Sequence, residues 1–149
     1  MTFTEHQIKE ISEQLDFGFR VFYHKKKGDL IFVPNLDMHS EMDTEAWEDE
    51  FATLKKHGRD YNEIEAMESS DSFQVMTDFA EQLTDPNLRD KLTSALSKKK
   101  PFREFKFVID NSGEQREQWF QYKNRRCIEW TMEQIRIQKD LDEYKNAIR

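Results

Sequence analysis

The feature that most constrains the fold is a pair of strand-like runs in "FRVFYHKKKGDLIFVPN", residues 19–35. Runs rich in Val, Ile, Phe and Tyr flank "KKKGD", and a glycine, Gly28, at the turn is typical of a β-hairpin. Both runs hold apolar residues at consecutive positions, 21–23 and 30–33. Both faces of this hairpin therefore need cover from other elements.

The segments on either side of the hairpin predict a helix and a third strand. Thr4 is a suitable N-cap, and Gln7 three residues later completes a capping box. A helix should therefore begin after Thr4 and lead into the hairpin. Further along, "YNEIEAM", residues 61–67, predicts a third strand.

An acidic segment, residues 41–50, contains six carboxylates. We interpret it as the solvated side of a helix whose buried stripe is Trp47, Phe51 and Leu54, with the basic "KKHG" at its C-terminal end. A metal site or a site for a basic partner remains the alternative. Carboxylates without ligand geometry support that alternative only weakly.

The second half of the chain predicts helices. Asp85 followed by Pro86 is typical of an N-cap and a first helical position, and Pro101 should open a further helix that places Phe102, Phe105, Val108 and Ile109 on one side. We predict an α+β fold in one domain, residues 1–149. An antiparallel sheet of about three strands lies in residues 1–67, and residues 68–149 form a mainly helical half.

The last predicted helix has no Pro or Gly from Glu114 onward. An unbroken helix of this length would extend about 50 Å, so a bend near Asn124 is an open alternative. Its last apolar residues are spaced four, three and four apart, as in a short heptad seam. We expect them to dock on the domain, with a homodimer seam as the alternative. The predicted apolar stripe is Phe120, Cys127, Trp130, Ile137, Leu141, Tyr144 and Ile148.

Net charge limits the partners of the chain. The formal charge is -7, so the whole molecule should not coat nucleic acid or an anionic membrane. Residues 1–97 carry 10 bases and 21 acids, whereas residues 98–149 carry 13 bases and 9 acids. An anionic partner is therefore expected only at the C-terminal third. One cysteine and no signal-like N-terminus predict a cytoplasmic protein.

Known catalytic motifs are absent from the sequence. It has no P-loop, dinucleotide fingerprint, nucleophile elbow or zinc-protease helix, and its four histidines fall in different predicted elements. We therefore expect no metal and no cofactor. Cys127 is expected to be a small helical hydrophobe rather than a nucleophile. An enzyme of unrecognised type stays open as an alternative.

Aromatic and basic residues are interleaved in residues 98–126, which hold nine bases and four acids. One interpretation is structural: Phe102, Phe105, Trp119 and Phe120 would be core, and the bases would line its rim. Single-stranded nucleic acid is an alternative because stacking and phosphate contacts use the same residue types, although the overall charge disfavours it. An anionic ligand or acidic peptide is another. The candidate binding residues are Arg103, Lys106, Trp119, Tyr122, Lys123, Arg125 and Arg126.

Residues 19–130 resemble a family of uncharacterised bacterial proteins. Four motifs carry the resemblance: M-x-x-F, L-x-x-x-L-x-x-A-L, F-R-x-F-K and W-F/Y-x-F/Y. They match Met76 and Phe79; Leu88, Leu92, Ala95 and Leu96; Phe102, Arg103, Phe105 and Lys106; and Trp119, Phe120 and Tyr122. The resemblance implies the same α+β fold and a bacterial cytoplasmic setting, and it implies no reaction.

We therefore expect a non-catalytic binding or regulatory module. Its partner would be a protein or an anionic ligand, and its partner surface would include Arg103, Lys106, Trp119 and Tyr122. Single-stranded nucleic-acid binding through residues 98–126 is the first alternative, and an enzyme is the second. Either a monomer or a homodimer is compatible with the sequence.

Overall fold

The computed structural model describes residues 2–148. Contacts divide the chain into two compact units. We call Met1–Ala66 with Cys127–Arg149 the sheet unit, and Met67–Arg126 the helical unit. The elements in chain order are α1 (Glu5–Asp16), β1 (Phe19–His24), β2 (Leu30–Pro34), α2 (Glu48–His57), β3 (Tyr61–Ile64), α3 (Ser69–Gln82), α4 (Pro86–Leu96), α5 (Pro101–Asp110) and α6 (Gln115–Ala147).

The sheet is antiparallel, with the strand order β2-β1-β3. In its register Val21 of the central strand lies between Phe32 and Ile64. These side chains face a core that also contains Ile11 of α1 and Ile135 of α6. The α+β prediction is thus confirmed, although β3 ends at Ile64 and is shorter than the predicted strand over 61–67.

The hairpin turn and the start of α1 have the local structures that their sequences predict. Gly28 has a φ of 79° in the hairpin turn, a conformation that is costly for residues with a Cβ atom. At the start of α1, the Thr4 hydroxyl accepts a hydrogen bond from the Gln7 backbone N–H, and the Gln7 side chain accepts one from the Thr4 N–H. The predicted capping box is confirmed.

The acidic helix α2 is less buried than expected. A single 3₁₀ turn, Glu45–Trp47, precedes it, and α2 contains no buried residue. The predicted buried stripe of Trp47, Phe51 and Leu54 is half-buried. The predicted stripe is therefore only partly buried, because this short helix leaves its apolar side chains partly open to solvent.

The helical unit has its own core. Its largest buried side chains are Phe79 of α3, Leu92 of α4, Phe105 and Ile109 of α5, and Trp119 of α6. As predicted, Asp85 caps α4 by accepting a hydrogen bond from the Asn87 N–H. Prolines open both α4 and α5, where a missing backbone N–H costs no helical hydrogen bond.

Helix α6 is continuous over 33 residues, Gln115–Ala147, and is not interrupted at Asn124. Within the sheet unit its buried residues are Thr131 and Ile135, and the same side continues with Gln138 and Asp142. Gln138 donates to the Glu63 carbonyl at 3.3 Å, and Asp142 accepts from the Asn62 amide at 2.7 Å. The packed side of α6 is therefore polar toward its end.

The predicted apolar stripe of α6 was consequently wrong in its second half. Its last four residues are exposed, from 37% at Ile137 to 67% at Ile148. The expected docking of these residues on the domain is not found in the described chain.

Every helix of residues 2–148 is too short or too polar to span a lipid bilayer.

Candidate binding surface

Helix α5 separates its residues into a buried and an exposed side. Phe105 and Ile109, four residues apart, are buried, as expected for one side of a helix with 3.6 residues per turn. Arg103 falls on the opposite side and Lys106 on the flank, and both are exposed. The helix therefore presents this basic pair to solvent.

Two phenylalanines accompany the basic pair. Phe102 is 43% exposed and Phe107 is 68% exposed. Phe102 precedes Lys106 by four positions and Arg103 precedes Phe107 by four, so the side chains are neighbours on the helix surface. We call these four residues the α5 outer face. The prediction that Phe102 belongs to the core was wrong, because it lies at the edge of the buried side.

The charge around this face is positive. Residues 98–107 contain five bases and one acid. The acid, Glu104, accepts a hydrogen bond from Arg103 at 3.2 Å and lies 4.0 Å from the Lys98 ammonium. One carboxylate thus partly offsets two of the five positive charges, and a positive surface remains.

Trp119 lies in the core. It is 8% exposed, and its ring centroid is 4.8 Å from that of Phe105 and 5.2 Å from that of Phe79. Edge-to-face pairs of this kind add to the stability gained by burial. Trp119 therefore packs the core of the helical unit, and the prediction that it belongs to the partner surface was wrong because the ring is buried.

Tyr122 and Arg126 form a network within the helical unit. One Arg126 nitrogen donates to Asp78 at 2.8 Å and to the Tyr122 hydroxyl at 2.7 Å. The Tyr122 ring lies 5.4 Å from the Phe79 ring. The Arg126 and Asp78 side chains are only 26% and 32% exposed. Arg126 and Tyr122 thus serve a contact between α3 and α6.

The electrostatics of this network favour the charged forms. The hydrogen bond from Arg126, helped by a second from Gln74, lowers the pKa of the Asp78 carboxyl. The same bond from Arg126 to Asp78 raises the pKa of the guanidinium. Asp78 supplies the acidic partner of Arg126 from within its own unit.

The two remaining predicted residues also lie near this network. Arg125 is exposed, and its guanidinium carbon is 5.1 Å from the centre of the Tyr122 ring, a cation–π distance. Lys123 is half-buried, and both bases have further interactions. The predicted set therefore falls into two groups: Arg103 and Lys106 on the α5 outer face, and the other five on α6.

Phe107 is the residue that the sequence interpretation missed. A signal for it was present, because it lies two positions from Phe105 and so falls on the other side of a helix. A phenylalanine among bases on that side cannot share the core stripe. The same reasoning would have set it beside Arg103.

No group of three or more His, Cys, Asp or Glu side chains in residues 2–148 is arranged to hold a metal ion. Cys127 is half-buried, and its backbone carbonyl accepts a hydrogen bond from the Thr131 hydroxyl at 3.0 Å. This bond is an ordinary contact within α6.

Comparison with known proteins gives a family. A model described as "Uncharacterised protein family (UPF0158)" matches residues 1–146. A curated relative, UPF0158 protein PA5073 of Pseudomonas aeruginosa, is 30% identical over 70 residues. That alignment covers 47% of this chain and 46% of the relative, so it spans about half the length of each. No solved structure gives a significant match.

Proposed function

The chain belongs to the uncharacterised family UPF0158, and we propose that it is a non-catalytic binding module that docks an acidic segment of a partner protein on the α5 outer face. The observation that carries this proposal is the solvent exposure of Phe102, Arg103, Lys106 and Phe107 on one helix, α5. The core does not need these four side chains, because Phe105 and Ile109 already pack into it from α5.

The chemistry of the face selects the partner. Arginine and lysine form charge-assisted hydrogen bonds with carboxylates, while two exposed phenyl rings gain about 1–3 kcal/mol each if a partner buries them fully. An acidic segment that also carries aliphatic side chains would satisfy both. Of the two acids of α5, Glu104 accepts a hydrogen bond from Arg103 and Asp110 pairs with Arg116, so a partner can supply further carboxylates.

Single-stranded nucleic acid is the second candidate, and the exposure of Phe102 and Phe107 is what favours it. Bases stack on such rings, and phosphates would contact the lysines. The net charge of -7 opposes this partner at long range. The net charge also opposes an acidic protein segment, which would bind only through the local positive surface. The two candidates therefore need a direct comparison.

The setting and assembly of the module are part of the proposal. A single cysteine supports the cytoplasm. The exposed Ile137, Leu141, Tyr144 and Ile148 support a homodimer seam along α6. In a parallel pair with these residues at the core positions, Asp140 of one copy would lie opposite Lys145 of the other. Such pairs favour the parallel arrangement.

The proposal is tested by fluorescence anisotropy with two labelled probes: a decapeptide of glutamates with two leucines, and an oligothymidylate of similar charge. We expect saturable binding of the peptide. Two exposed ion pairs are worth about 0.4–2 kcal/mol, so Arg103→Ala with Lys106→Ala should weaken binding roughly two- to thirtyfold. Loss of about 1–3 kcal/mol in Phe107→Ala should weaken it roughly five- to 160-fold.

A matched control removes two bases from another helix of the same unit. Arg89 and Lys91 of α4 are exposed, so Arg89→Ala with Lys91→Ala makes the same charge change away from α5. Equal weakening by both double variants would mean that net charge alone drives binding, which contradicts the proposed surface. Preferential, salt-sensitive binding of the oligothymidylate would favour the second candidate.

A further inference from the structure

The outer edge of β2 borders a groove of about 670 Å³ in the sheet unit. Its wall includes aromatic side chains from three segments: Phe17 after α1, Phe19 of β1, and Trp47 before α2. Their rings are neighbours: the ring centroids of Phe17 and Phe19 are 5.7 Å apart, and those of Phe19 and Trp47 are 5.6 Å apart. The floor includes Leu30–Phe32, three consecutive residues of the edge strand. A strand edge and an aromatic wall thus share one groove.

The backbone of β2 has hydrogen-bonding groups that point toward this side. The His24 N–H donates to the Asp29 carbonyl, and the Asn35 N–H donates to the Gly18 carbonyl. In antiparallel pairs, hydrogen-bonded and non-hydrogen-bonded positions alternate. Between those two anchors, Leu30 and Phe32 therefore occupy non-hydrogen-bonded positions opposite β1. Their N–H and C=O groups face away from β1, along the outer edge.

The other edge of the sheet is closed within the sheet unit. The Glu63 carbonyl of β3 accepts a hydrogen bond from Gln138, and the following Glu65 carbonyl accepts one from the Trp130 indole at 2.8 Å. Covering an edge with a helix is a common protection against strand pairing. No strand of residues 2–148 pairs with the outer edge of β2. Helix α2 packs against β2, so the two edges differ in that residues 63 and 65 are hydrogen-bonded to α6 whereas β2 has α2 as a packing neighbour.

The charges of the groove select an occupant. Glu13 and Glu50 belong to its lining, which among residues 2–148 contains no base, and Lys9 lies 4.0 Å from the Glu13 carboxylate at an exposed position of α1. A second copy of the chain would bring the same carboxylates to the same edge in a two-fold pair, where they would repel. A segment that carries lysine or arginine would meet opposite charge instead.

We propose that the outer edge of β2 binds an extended basic segment of a partner protein as an added strand. Its backbone pairs with Leu30 and Phe32, its apolar side chains pack on Phe19 and Trp47, and its bases meet Glu13 and Glu50. Main-chain hydrogen bonds provide affinity in this mode, and the pockets for alternate side chains provide specificity. This site is separate from the α5 outer face, and the two proposals can fail independently.

The test measures the anisotropy of labelled octapeptides that alternate lysine with valine or glutamate with valine. We expect only the lysine peptide to bind. Leu30→Pro removes a backbone N–H that points outward and breaks no bond to β1, which an edge strand tolerates. It should weaken binding by about fivefold or more relative to Leu30→Ala, which loses the same side chain contacts and keeps the N–H.

Charge is tested separately by Glu13→Gln with Glu50→Gln. This double substitution should weaken binding of the lysine peptide by roughly threefold or more. The control, Glu5→Gln with Glu41→Gln, changes two residues outside the groove lining and should have little effect. Equal binding by Leu30→Pro and Leu30→Ala, or equal binding of both peptides, would overturn the proposal. So would a wild-type dimer, seen by sedimentation, that Leu30→Pro dissociates.

Circular dichroism checks that each variant folds. If Leu30→Pro does not fold, the wild-type protein is titrated with a lysine–valine peptide N-methylated at alternate residues. Strand pairing predicts that methylation of one edge of the peptide weakens binding by about fivefold or more, and methylation of the other edge has little effect. Similar affinities for both methylated peptides would contradict strand pairing.

Discussion

Replacement of Arg126 should destabilise the helical unit far more than replacement of Arg103. Arg126 donates to Asp78 at 2.8 Å and to Tyr122 at 2.7 Å in a partly buried site. Arg103 is 68% exposed and contacts Glu104, its neighbour in sequence, at 3.2 Å. The two arginines thus differ in burial and in the number of elements that they join.

The contacts set the expected magnitudes. Hydrogen bonds to charged groups are worth about 1.5–3 kcal/mol when buried, and exposed ion pairs about 0–1 kcal/mol. Since Arg126 and Asp78 keep about a quarter to a third of their exposure, we expect Arg126→Ala to lower the free energy of unfolding by about 1–2 kcal/mol. Arg103→Ala should change it by less than about 0.5 kcal/mol.

Urea unfolding gives both values. Trp47→Phe and Trp130→Phe leave Trp119 as the fluorescent reporter, and its ring lies in the core of the helical unit. A double-mutant cycle with Asp78→Ala should return a coupling of about 1 kcal/mol for the Asp78–Arg126 pair. Equal costs of Arg103→Ala and Arg126→Ala, or a cycle without coupling, would contradict these expected values.

Three further predictions concern pH, assembly and capping. Because Arg126 lowers the pKa of Asp78, the pair stabilises the fold above the unfolded pKa of about 3.9 and loses this effect as pH falls through the lower folded value. The difference in unfolding free energy between wild type and Arg126→Ala should therefore shrink below about pH 4. A difference that stays constant with pH would contradict this. If the exposed stripe of α6 joins two copies, light scattering should find a dimer that Leu141→Glu converts to monomer. The control Glu143→Gln should leave the dimer intact. An unchanged mass for Leu141→Glu would reject the seam. Thr4→Ala removes the N-cap of α1 and should cost about 1 kcal/mol in thermal or urea unfolding, whereas an unchanged midpoint would show that the capping box contributes little.

Sequence signals that act over a few residues predicted the local structure well. Gly28 in the hairpin turn, the Thr4–Gln7 capping box and Asp85 before Pro86 all depend on neighbours within about four positions. Their geometry follows from backbone conformation and short-range hydrogen bonds. The order of elements and the α+β fold could therefore be predicted without knowledge of distant contacts.

The packed side of α6 could not be predicted in the same way. Apolar periodicity indicated Ile137 and Leu141, but the helix continues its buried side with Gln138 and Asp142. Their partners, Glu63 and Asn62, are 75 and 80 residues away in sequence. A helix that packs on the edge of a sheet can use polar side chains to satisfy backbone groups, and periodicity does not detect this.

The candidate surface was predicted in part for the same reason. Exposure of Arg103 and Lys106 follows from their positions outside the buried side of α5. The internal role of Arg126 depends on Asp78, 48 residues earlier in sequence, and no local pattern joins the two. A mixture of bases and aromatics thus contained both a core network and an open face, which only the three-dimensional contacts separate.

The most direct test of the proposed function is to locate the contact of an acidic segment on the protein. Amide signals of isotope-labelled protein would be followed by NMR during titration with the decapeptide of glutamates and two leucines. We expect saturable shifts concentrated in residues 98–107, and their loss in the Arg103→Ala and Lys106→Ala double variant. Shifts spread over the chain, or concentrated elsewhere and unchanged in that variant, would contradict the proposed function.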